Sequence, residues 1–184
     1  MKNLRRINLF AEAGGGKTIT SANVRAQLGF KGYDVELVEE VIKDWTYVGR
    51  SPASCDSFYL QGCQIQKEDI RLRAGVDFIV SDSPLMLQYF YAMYHKAPLQ
   101  VPMLQACQDF EDIYPSLNIF IDREDKFYDE TGRYEKLPEA KSIDMLIKEV
   151  LTRYGVSFRS FSCLDQDKVI DYIVSQLEVV DVTL

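Results

Sequence analysis

The sequence predicts an α/β fold in which a parallel β-sheet is covered by helices on both faces. Short apolar, β-branched segments alternate with longer helical segments, which is the order expected of a doubly wound sandwich. The strand segments are mostly continuous apolar runs, and such runs are typical of strands buried on both faces. The chain has 184 residues, of which 47% are hydrophobic, so we expect a single domain with a substantial core over residues 1–184.

Five segments carry the strand pattern. They occupy residues 6–10, 34–38, 77–81, 117–121 and 156–161. Helical sequence occupies six further segments, at residues 17–30, 56–73, 84–94, 102–113, 138–153 and 166–178. Gly32 follows the first of these helices and is a typical C-terminal stop signal.

Composition and charge argue against several classes of function. No apolar run reaches the roughly 18 residues that a membrane span needs, and the apolar part of "MKNLRRINLF" is too short for a signal peptide. We therefore expect a cytoplasmic protein with no membrane partner. The net charge of −7 argues against a broad basic face for duplex nucleic acid but is compatible with a local basic cleft. The four cysteines form no C-x-x-C pair, which favours reduced thiols over a zinc site.

A glycine-rich segment, "AEAGGGKT" at residues 11–18, lies between the first predicted strand and the first predicted helix. It matches the P-loop pattern G-x-x-x-x-G-K-[ST] with alanine in the first position. Glycines let backbone N–H groups approach phosphate oxygens, and the following helix directs its partial positive charge at the same anion. The alternative is a glycine-rich turn without a ligand. The pattern predicts that ATP is bound by Ala13, Gly14, Gly15, Gly16, Lys17, Thr18 and Ile19.

Further side chains complete the predicted nucleotide site. Lys17 is expected to reach the β- and γ-phosphates, and the Thr18 hydroxyl is expected to bind Mg²⁺. Asp82 ends the apolar strand "VDFIVSD", where an aspartate beside a P-loop is expected to hold Mg²⁺ directly or through water. In the alternative interpretation, Asp82 only caps a helix that begins with "DSP".

A carboxylate is also expected on the acceptor side. Glu39 and Glu40 follow the second predicted strand in "VELVEE", and the carboxyl ends of parallel strands face the ligand crevice. Glu40 is therefore expected opposite the P-loop, where it could orient an acceptor hydroxyl and take its proton. Alternatively, both glutamates only favour the dipole of a helix start.

Aromatic and amide side chains are the candidates for holding an acceptor base. Tyr59 could stack on a base, and Gln64, which shares a helix face with Gln61, could hydrogen-bond its edge. Ordinary packing is the alternative for both. Trp45 could lie either beside the acceptor or in the core, and the aromatic run at residues 87–94 favours core packing.

The combined motifs resemble the P-loop kinases of nucleosides and nucleotides. They are the P-loop, the E-x-x-x-x-W spacing of Glu40 and Trp45, the D-S-P triplet at Asp82 and an arginine-bearing segment that ends in "GR". This resemblance implies a three-layer sandwich whose five-stranded parallel sheet has the order 2-3-1-4-5. Deoxynucleoside kinases carry a similar Glu and Trp, but they have an arginine in the triplet where this chain has Asp82-Ser83-Pro84.

The sequence is more similar to a group of phage-encoded P-loop proteins that are labelled ATPase or kinase. The motifs "NLFAEAGGGKT", "VEEVIKD", "DSPL" and "GRY" match that group over nearly the whole chain. Its members resemble kinases that phosphorylate 5-hydroxymethyluridine within phage DNA, an early step of thymine hypermodification. The resemblance implies that Glu40 and Lys43 face the acceptor. We expect the substrate-binding residues to be Glu40, Lys43, Trp45, Tyr59, Gln64 and Ser83.

Residues 123–137, "REDKFYDETGRYEKL", are highly charged and interrupt the alternation of strands and helices. On composition alone they are a solvated loop. Beside a phosphoryl-transfer site, Arg123, Arg133 and Lys126 could close over the γ-phosphoryl group as a small lid that stabilises its charge and excludes water. The predicted catalytic residues are therefore Lys17, Glu40, Asp82, Arg123 and Arg133.

Three functions are compatible with the sequence. The leading hypothesis is an ATP- and Mg²⁺-dependent kinase for a hydroxyl of a pyrimidine nucleotide, with 5-hydroxymethyluridine in DNA as its most specific form. The alternatives are a kinase of free deoxynucleosides or deoxynucleoside monophosphates, and an NTPase switch without an acceptor. The isoelectric point of about 4.8 favours a small substrate, whereas the missing arginine favours a polymer. The sequence leaves open whether the chain forms a homodimer.

Overall fold

The computed structural model describes residues 4–12, 14–124 and 137–181. The strands are β1 (Arg6–Phe10), β2 (Val35–Val38), β3 (Phe78–Ser81), β4 (Ser116–Asp122) and β5 (Arg159–Ser162). The helices are α1 (Lys17–Phe30), α2 (Lys43–Tyr47), α3 (Asp56–Ala74), α4 (Leu85–Tyr94), α5 (Gln100–Ile113), α6 (Leu137–Arg153) and α7 (Gln166–Asp181).

The five strands form one parallel sheet in the order β2-β3-β1-β4-β5. This confirms the predicted α/β class and the predicted strand order. Every residue of β1 and β3 is buried, as the continuous apolar runs indicated. In the register of the sheet, Ser81 of β3 pairs with Asn8 of β1 and with Val38 of β2. The carboxyl ends of these three neighbouring strands therefore meet at one edge of the sheet.

Helices cover both faces of the sheet, because side chains alternate between the faces along each strand. Phe10 packs in a cluster with apolar residues of α3, α4, α5 and α6. Ile7 and Leu9 pack in a second cluster with residues of α1 and α7, among them Val24. The result is the three-layer sandwich that the sequence predicts, with the sheet between two apolar cores.

The predicted boundaries differ from the structure mainly in two places. The last strand was predicted at 156–161, but β5 begins at Arg159. Val156 and Phe158, whose apolar character suggested a strand, instead pack against the apolar cluster that includes residues of α3 to α6. The five-residue helix α2 was not predicted at all. A helix this short lacks the repeated apolar spacing by which longer helices are recognised.

Among residues 4–12, 14–124 and 137–181, none of the helices combines the length and the apolar character that crossing a bilayer requires.

Candidate active site

The segment between β1 and α1 has the backbone conformation that its glycines permit. Gly14 and Gly16 have positive φ angles of 79° and 93°. Residues other than glycine rarely adopt such backbone angles. A Cβ atom on Gly15 would lie 2.5 Å from the Cβ atom of Ala11 and 3.2 Å from the carbonyl oxygen of Glu12. The loop can therefore turn this tightly only with glycine at these positions. Ala13, a predicted ATP-binding residue, lies outside the described residues.

Helix α1 begins directly after this loop, at Lys17. Its N-cap residue, Gly16, makes no side-chain capping hydrogen bond, and the first turn holds no acidic residue. The N–H groups at a helix start need partners from outside the helix, and the helix dipole favours an anion there. Thr18 and Ile19 belong to this first turn. The loop and helix start thus have the properties of a phosphate-binding site.

The Lys17 side chain folds back onto its own loop. Its Nζ atom donates hydrogen bonds to the carbonyl oxygens of Ala11 (2.8 Å) and Glu12 (3.2 Å). Burial lowers the pKa of the Lys17 ammonium group, while the negative charges of Glu40 and Asp82 oppose that shift. The ammonium group is held by backbone carbonyls that a phosphate could replace.

Asp82 follows β3 and lies beside the first turn of α1. The Thr18 hydroxyl donates a hydrogen bond to Asp82 Oδ2 at 3.4 Å, while the buried Oδ1 atom has no hydrogen-bond partner among the described residues. Burial raises the pKa of the Asp82 carboxyl, and the charges of Lys17 and Lys43 act in the opposite direction. The sequence placed both Thr18 and Asp82 in a metal site, and the structure brings them together.

This pair of oxygen donors fits Mg²⁺. A hard cation prefers carboxylate and hydroxyl oxygens, and Mg²⁺ at a phosphate site takes only one or two ligands from the protein. The orphaned Oδ1 atom of Asp82 is a carboxylate oxygen of the required kind. Within the described part of the chain, no group of three or more His, Cys, Asp or Glu side chains could hold a metal ion. An ion bound here would therefore draw further ligands from water or a nucleotide.

Glu40 follows β2 and lies in the same group of charges. Burial raises the pKa of its carboxyl, the charges of Lys17 and Lys43 oppose that shift, and the charge of Asp82 adds to it. The nearby Ser83 hydroxyl also opposes the rise of the Glu40 pKa. The structure thus places five of the predicted site residues together at the carboxyl edge of the sheet.

Arg123, by contrast, has partners that the predicted lid did not include. Its side chain is only 6% exposed and forms ion pairs with Glu12 (2.8 Å) and Asp144 (2.6 Å). The guanidinium group is therefore fixed beside the P-loop by two carboxylates. Arg133 and Lys126, with the rest of the segment 125–136, lie outside the described residues.

Sequence reasoning missed Glu12 and Asp144. An acidic residue inside a phosphate-binding loop repels the ligand unless it is paired, so Glu12 was a signal that a buried cation lies nearby. Asp144 gave no signal, because it is one of several charged residues spaced along α6.

The acceptor-side aromatic residues form a small stack on the surface. The rings of Trp45 and Tyr59 are stacked with centroids 6.5 Å apart, and the Arg50 guanidinium lies over the Trp45 ring at 3.5 Å. Tyr59 is 60% exposed. Trp45 is therefore part of a stack at the start of α3 rather than of either apolar core, and Tyr59 retains accessible ring surface.

The amide face of α3 points into the protein rather than towards an open site. Gln64 is completely buried, and its Nε2 atom donates to Ser81 Oγ (3.2 Å) and Glu68 Oε1 (3.4 Å). Gln61 is buried on the same face and donates to the Met103 carbonyl oxygen. The shared face was expected, but these amides are buried and bonded to core groups, so Gln64 does not join the exposed acceptor-side residues.

A cavity of about 520 Å³ lies against the outer side of the P-loop. Its volume is in the range of small-molecule sites. Besides the glycine loop and the first turn of α1, the lining includes residues that follow β4 and β5. These are Arg123, Glu124, Cys163, Leu164 and Gln166. The cavity is thus continuous with the phosphate-binding loop.

These features define the class of protein. A P-loop between the first strand and first helix of a parallel sheet, with the strand order β2-β3-β1-β4-β5, is the fold of P-loop kinases. A family model described as an AAA domain matches residues 7–163, and the chain belongs to this family.

Solved structures agree with this fold. YorR protein from Bacillus subtilis, in complex with phosphorylated GDP, is 16% identical, with a TM-score of 0.64 over 97% of this chain and 99% of its own. Thymidylate kinase from Ehrlichia chaffeensis is 14% identical, with a TM-score of 0.67 over 97% of this chain and 100% of its own. NadR protein in complex with NAD and AMP-PNP is 11% identical, with a TM-score of 0.65 over 96% of this chain and 50% of its own. A comparison with curated proteins finds no match.

Proposed function

We propose that the protein is an ATP- and Mg²⁺-dependent kinase that phosphorylates a hydroxyl of a pyrimidine nucleotide, with 5-hydroxymethyluridine in phage DNA as the acceptor and the host cytoplasm as its location. The observation that carries the proposal is the position of Glu40. This carboxylate shares the carboxyl edge of the sheet with Lys17 and Asp82, and Lys17 is the largest opposing charge on it. A nucleotide switch without an acceptor would make little use of a carboxylate in the acceptor position.

The P-loop would hold the triphosphate of ATP. Backbone N–H groups at Gly14–Thr18 and the start of α1 receive the phosphate oxygens. Lys17 exchanges the carbonyl oxygens of Ala11 and Glu12 for phosphate oxygens, which compensates its charge better than carbonyl dipoles do. The nucleoside part would occupy the adjoining cavity of about 520 Å³.

Thr18 and Asp82 are the residues that would hold Mg²⁺. When bound, the ion neutralises negative charge on the phosphates and helps to orient them. The Asp82 carboxylate is close enough to the Thr18 hydroxyl for both to face one ligand.

Glu40 would act as the general base. The acceptor hydroxyl oxygen forms a bond to the γ-phosphorus, the bond from that phosphorus to the β,γ-bridging oxygen breaks, and the hydroxyl proton passes to the Glu40 carboxylate. ADP leaves with the electron pair of the broken bond. A raised carboxyl pKa suits this role, because a stronger base accepts the proton more readily.

The acceptor would enter over Glu40 and Ser83. Lys43 lies at the start of α2 and influences the pKa values of both Glu40 and Asp82, so it is close enough to orient a phosphate or hydroxyl of the acceptor. The exposed ring of Tyr59, backed by Trp45, offers a stacking surface for a base.

Phosphorylation of a free deoxynucleoside or its monophosphate is the second candidate. It is favoured by the full-length fold match to a thymidylate kinase. The DNA form is supported by the phage-protein motifs and by the D-S-P triplet, which lacks the arginine of nucleoside kinases.

An acceptor screen with γ-labelled ATP distinguishes these functions. The protein is incubated with single-stranded DNA that contains 5-hydroxymethyluridine, with the same DNA containing thymidine, and with free nucleosides and monophosphates. We expect label only on the hydroxymethyluridine-containing DNA. Label on free monomers alone would replace our proposal by the second candidate. Release of inorganic phosphate with no labelled acceptor would favour the third hypothesis, an NTPase switch.

A further inference from the structure

Three charged residues form a closed, buried ring beside the P-loop. Asp144 Oδ1 accepts a hydrogen bond from the Glu12 backbone N–H (2.7 Å), and Asp144 Oδ2 accepts one from Arg123 Nε (2.6 Å). Arg123 Nη2 in turn donates to Glu12 Oε2 (2.8 Å). The exposed fractions of the three side chains are 2% for Glu12, 6% for Arg123 and 13% for Asp144. In all three hydrogen bonds at least one partner is ionised, and such charge-assisted bonds are shorter and stronger than bonds between neutral groups.

The ring connects parts of the chain that are distant in sequence but adjacent at the nucleotide cavity. Glu12 belongs to the P-loop, Arg123 follows β4 and lines the cavity, and Asp144 lies on α6. The Glu12 carbonyl oxygen also accepts hydrogen bonds from the Gly15 N–H (3.1 Å) and from Lys17 Nζ (3.2 Å). The Glu12 N–H that Asp144 holds belongs to the same peptide group as the Ala11 carbonyl oxygen, which accepts a hydrogen bond from Lys17 Nζ (2.8 Å). Asp144 thus holds one of the two consecutive peptide groups that bind Lys17.

We propose that Asp144 is a positioning residue for the nucleoside triphosphate. It fixes the peptide group between Ala11 and Glu12, and with it the position of Lys17 and the turn at Glu12, and it orients Arg123 along the cavity wall. Asp144 acts through these residues rather than by touching the ligand. This inference rests on the proposed binding of ATP but not on the identity of the phosphoryl acceptor.

A purely structural role would be to dock α6 against the end of β4. The chain offers a matched control for that role, because Lys148, one turn further along α6, forms an ion pair with Asp122 of β4 at 2.6 Å. This second pair joins the same helix to the same strand through side chains that are not members of the ring. Lys148→Met therefore removes an α6–β4 bond and leaves the ring intact.

The test compares Asp144→Asn, Asp144→Glu and Lys148→Met with the wild-type chain. Asp144→Asn keeps the size of the side chain but presents either an amide or a neutral oxygen to Arg123. Asp144→Glu keeps the charge and moves it by one methylene group. Calorimetric titration with ATP and Mg²⁺ gives the affinity, and steady-state kinetics separate KM for ATP, KM for the acceptor and kcat.

We expect both Asp144 variants to bind ATP about tenfold more weakly, which is the loss expected from one charge-assisted hydrogen bond. KM for ATP rises by a similar factor, while KM for the acceptor and kcat at saturating ATP stay within about threefold. The Arg123 Nε–H resonance in the NMR spectrum shifts in both variants, because its acceptor has changed. Lys148→Met leaves the affinity, the kinetics and this resonance as in the wild type.

The possible results separate the two proposals. Wild-type affinity in Asp144→Asn, full rescue by Asp144→Glu, or equal weakening in Lys148→Met would each overturn the positioning role. If the wild-type chain binds ATP tightly but labels no acceptor, the proposed kinase function is wrong, whereas the proposed role of Asp144 in ATP binding still stands. If Asp144→Asn does not fold, Asp144→Glu and the NMR resonance decide the question. A wild-type chain that binds no ATP would refute both.

Discussion

Among the described residues, a cavity of about 520 Å³ beside the P-loop can be compared with another of the same volume, and the charges that line them are compensated in different ways. The first adjoins the P-loop. The second lies on the sheet face that α4 and α5 cover, and its lining includes Arg6, Asn8, Glu111 and Asn118. Size therefore does not distinguish a functional cavity from a structural one.

The partners of Lys17 in the first cavity and of Arg6 in the second show the difference. In the second cavity, Arg6 donates to the carboxylates of Glu68 (2.9 Å) and Glu111 (3.1 Å). In the first, Lys17 is hydrogen-bonded to the backbone carbonyls of Ala11 and Glu12. A phosphate can displace carbonyl oxygens from an ammonium group at little cost, whereas displacing a buried carboxylate would leave an unpaired charge. A cation with replaceable partners therefore indicates a ligand site. Arg123, which also lines the first cavity, has carboxylate partners like those of Arg6 and is held in place by them.

The largest effect is expected from Glu40→Gln at the first cavity. Removing a general base should lower the rate of phosphoryl transfer by about 10²- to 10⁴-fold, while calorimetry shows ATP still bound. Glu39→Gln is the matched control, because Glu39 is the neighbouring exposed carboxylate, and it should retain most of the activity. Equal rates in the two variants would move the base to another group.

Lys17→Met is expected to lower transfer by about 10²- to 10³-fold, the usual cost of removing one donor to the transition state. Its thermal unfolding midpoint should not fall, because the ammonium group is buried against its own loop and its removal relieves desolvation. Transfer is measured with labelled ATP, and unfolding by circular dichroism. A variant that loses stability together with activity would show that Lys17 is a structural cation like Arg6.

Arg6→Met tests the opposite behaviour at the second cavity. Removing one partner of a buried ion pair leaves Glu68 uncompensated, which should lower the free energy of unfolding by about 3–5 kcal/mol. Activity per folded molecule should be unchanged. The double variant Arg6→Met/Glu68→Leu should recover much of the loss, since both charges are then absent. Denaturant titration measures all three chains, and an unaltered midpoint in the single variant would contradict the distinction between the cavities.

The sequence was sufficient to predict the fold and the positions of the site residues that directly follow strands. Continuous apolar runs predicted a parallel sheet, and in such a sheet the carboxyl ends of neighbouring strands must meet. For that reason Lys17, Asp82 and Glu40 could be placed together before any coordinates. Their positions depend only on strand order and strand ends.

Side chains whose position depends on tertiary packing could not be predicted. The helical spacing of Gln61 and Gln64 showed that they share a face, but not that this face is buried. Arg123 was expected as a free positive charge, because the two carboxylates that pair with it are 111 and 21 residues away in the chain. Periodicity determines which residues share a face, whereas their partners depend on how distant elements pack.

The smallest effect is a change in pH dependence, and it probes the electrostatics of the first cavity. The raised pKa of Glu40 predicts that kcat/KM falls on acidification at a higher pH than an ordinary glutamate would cause, because the base must be ionised. Lys43 lowers the pKa of Glu40, so Lys43→Gln should raise that pKa and move the acidic limb of the profile to higher pH. The matched variant Lys31→Gln removes a lysine at the far end of α1 and should leave the limb in place. A limb that moves to lower pH in Lys43→Gln, or equally in both variants, would show that the titrating group is not Glu40.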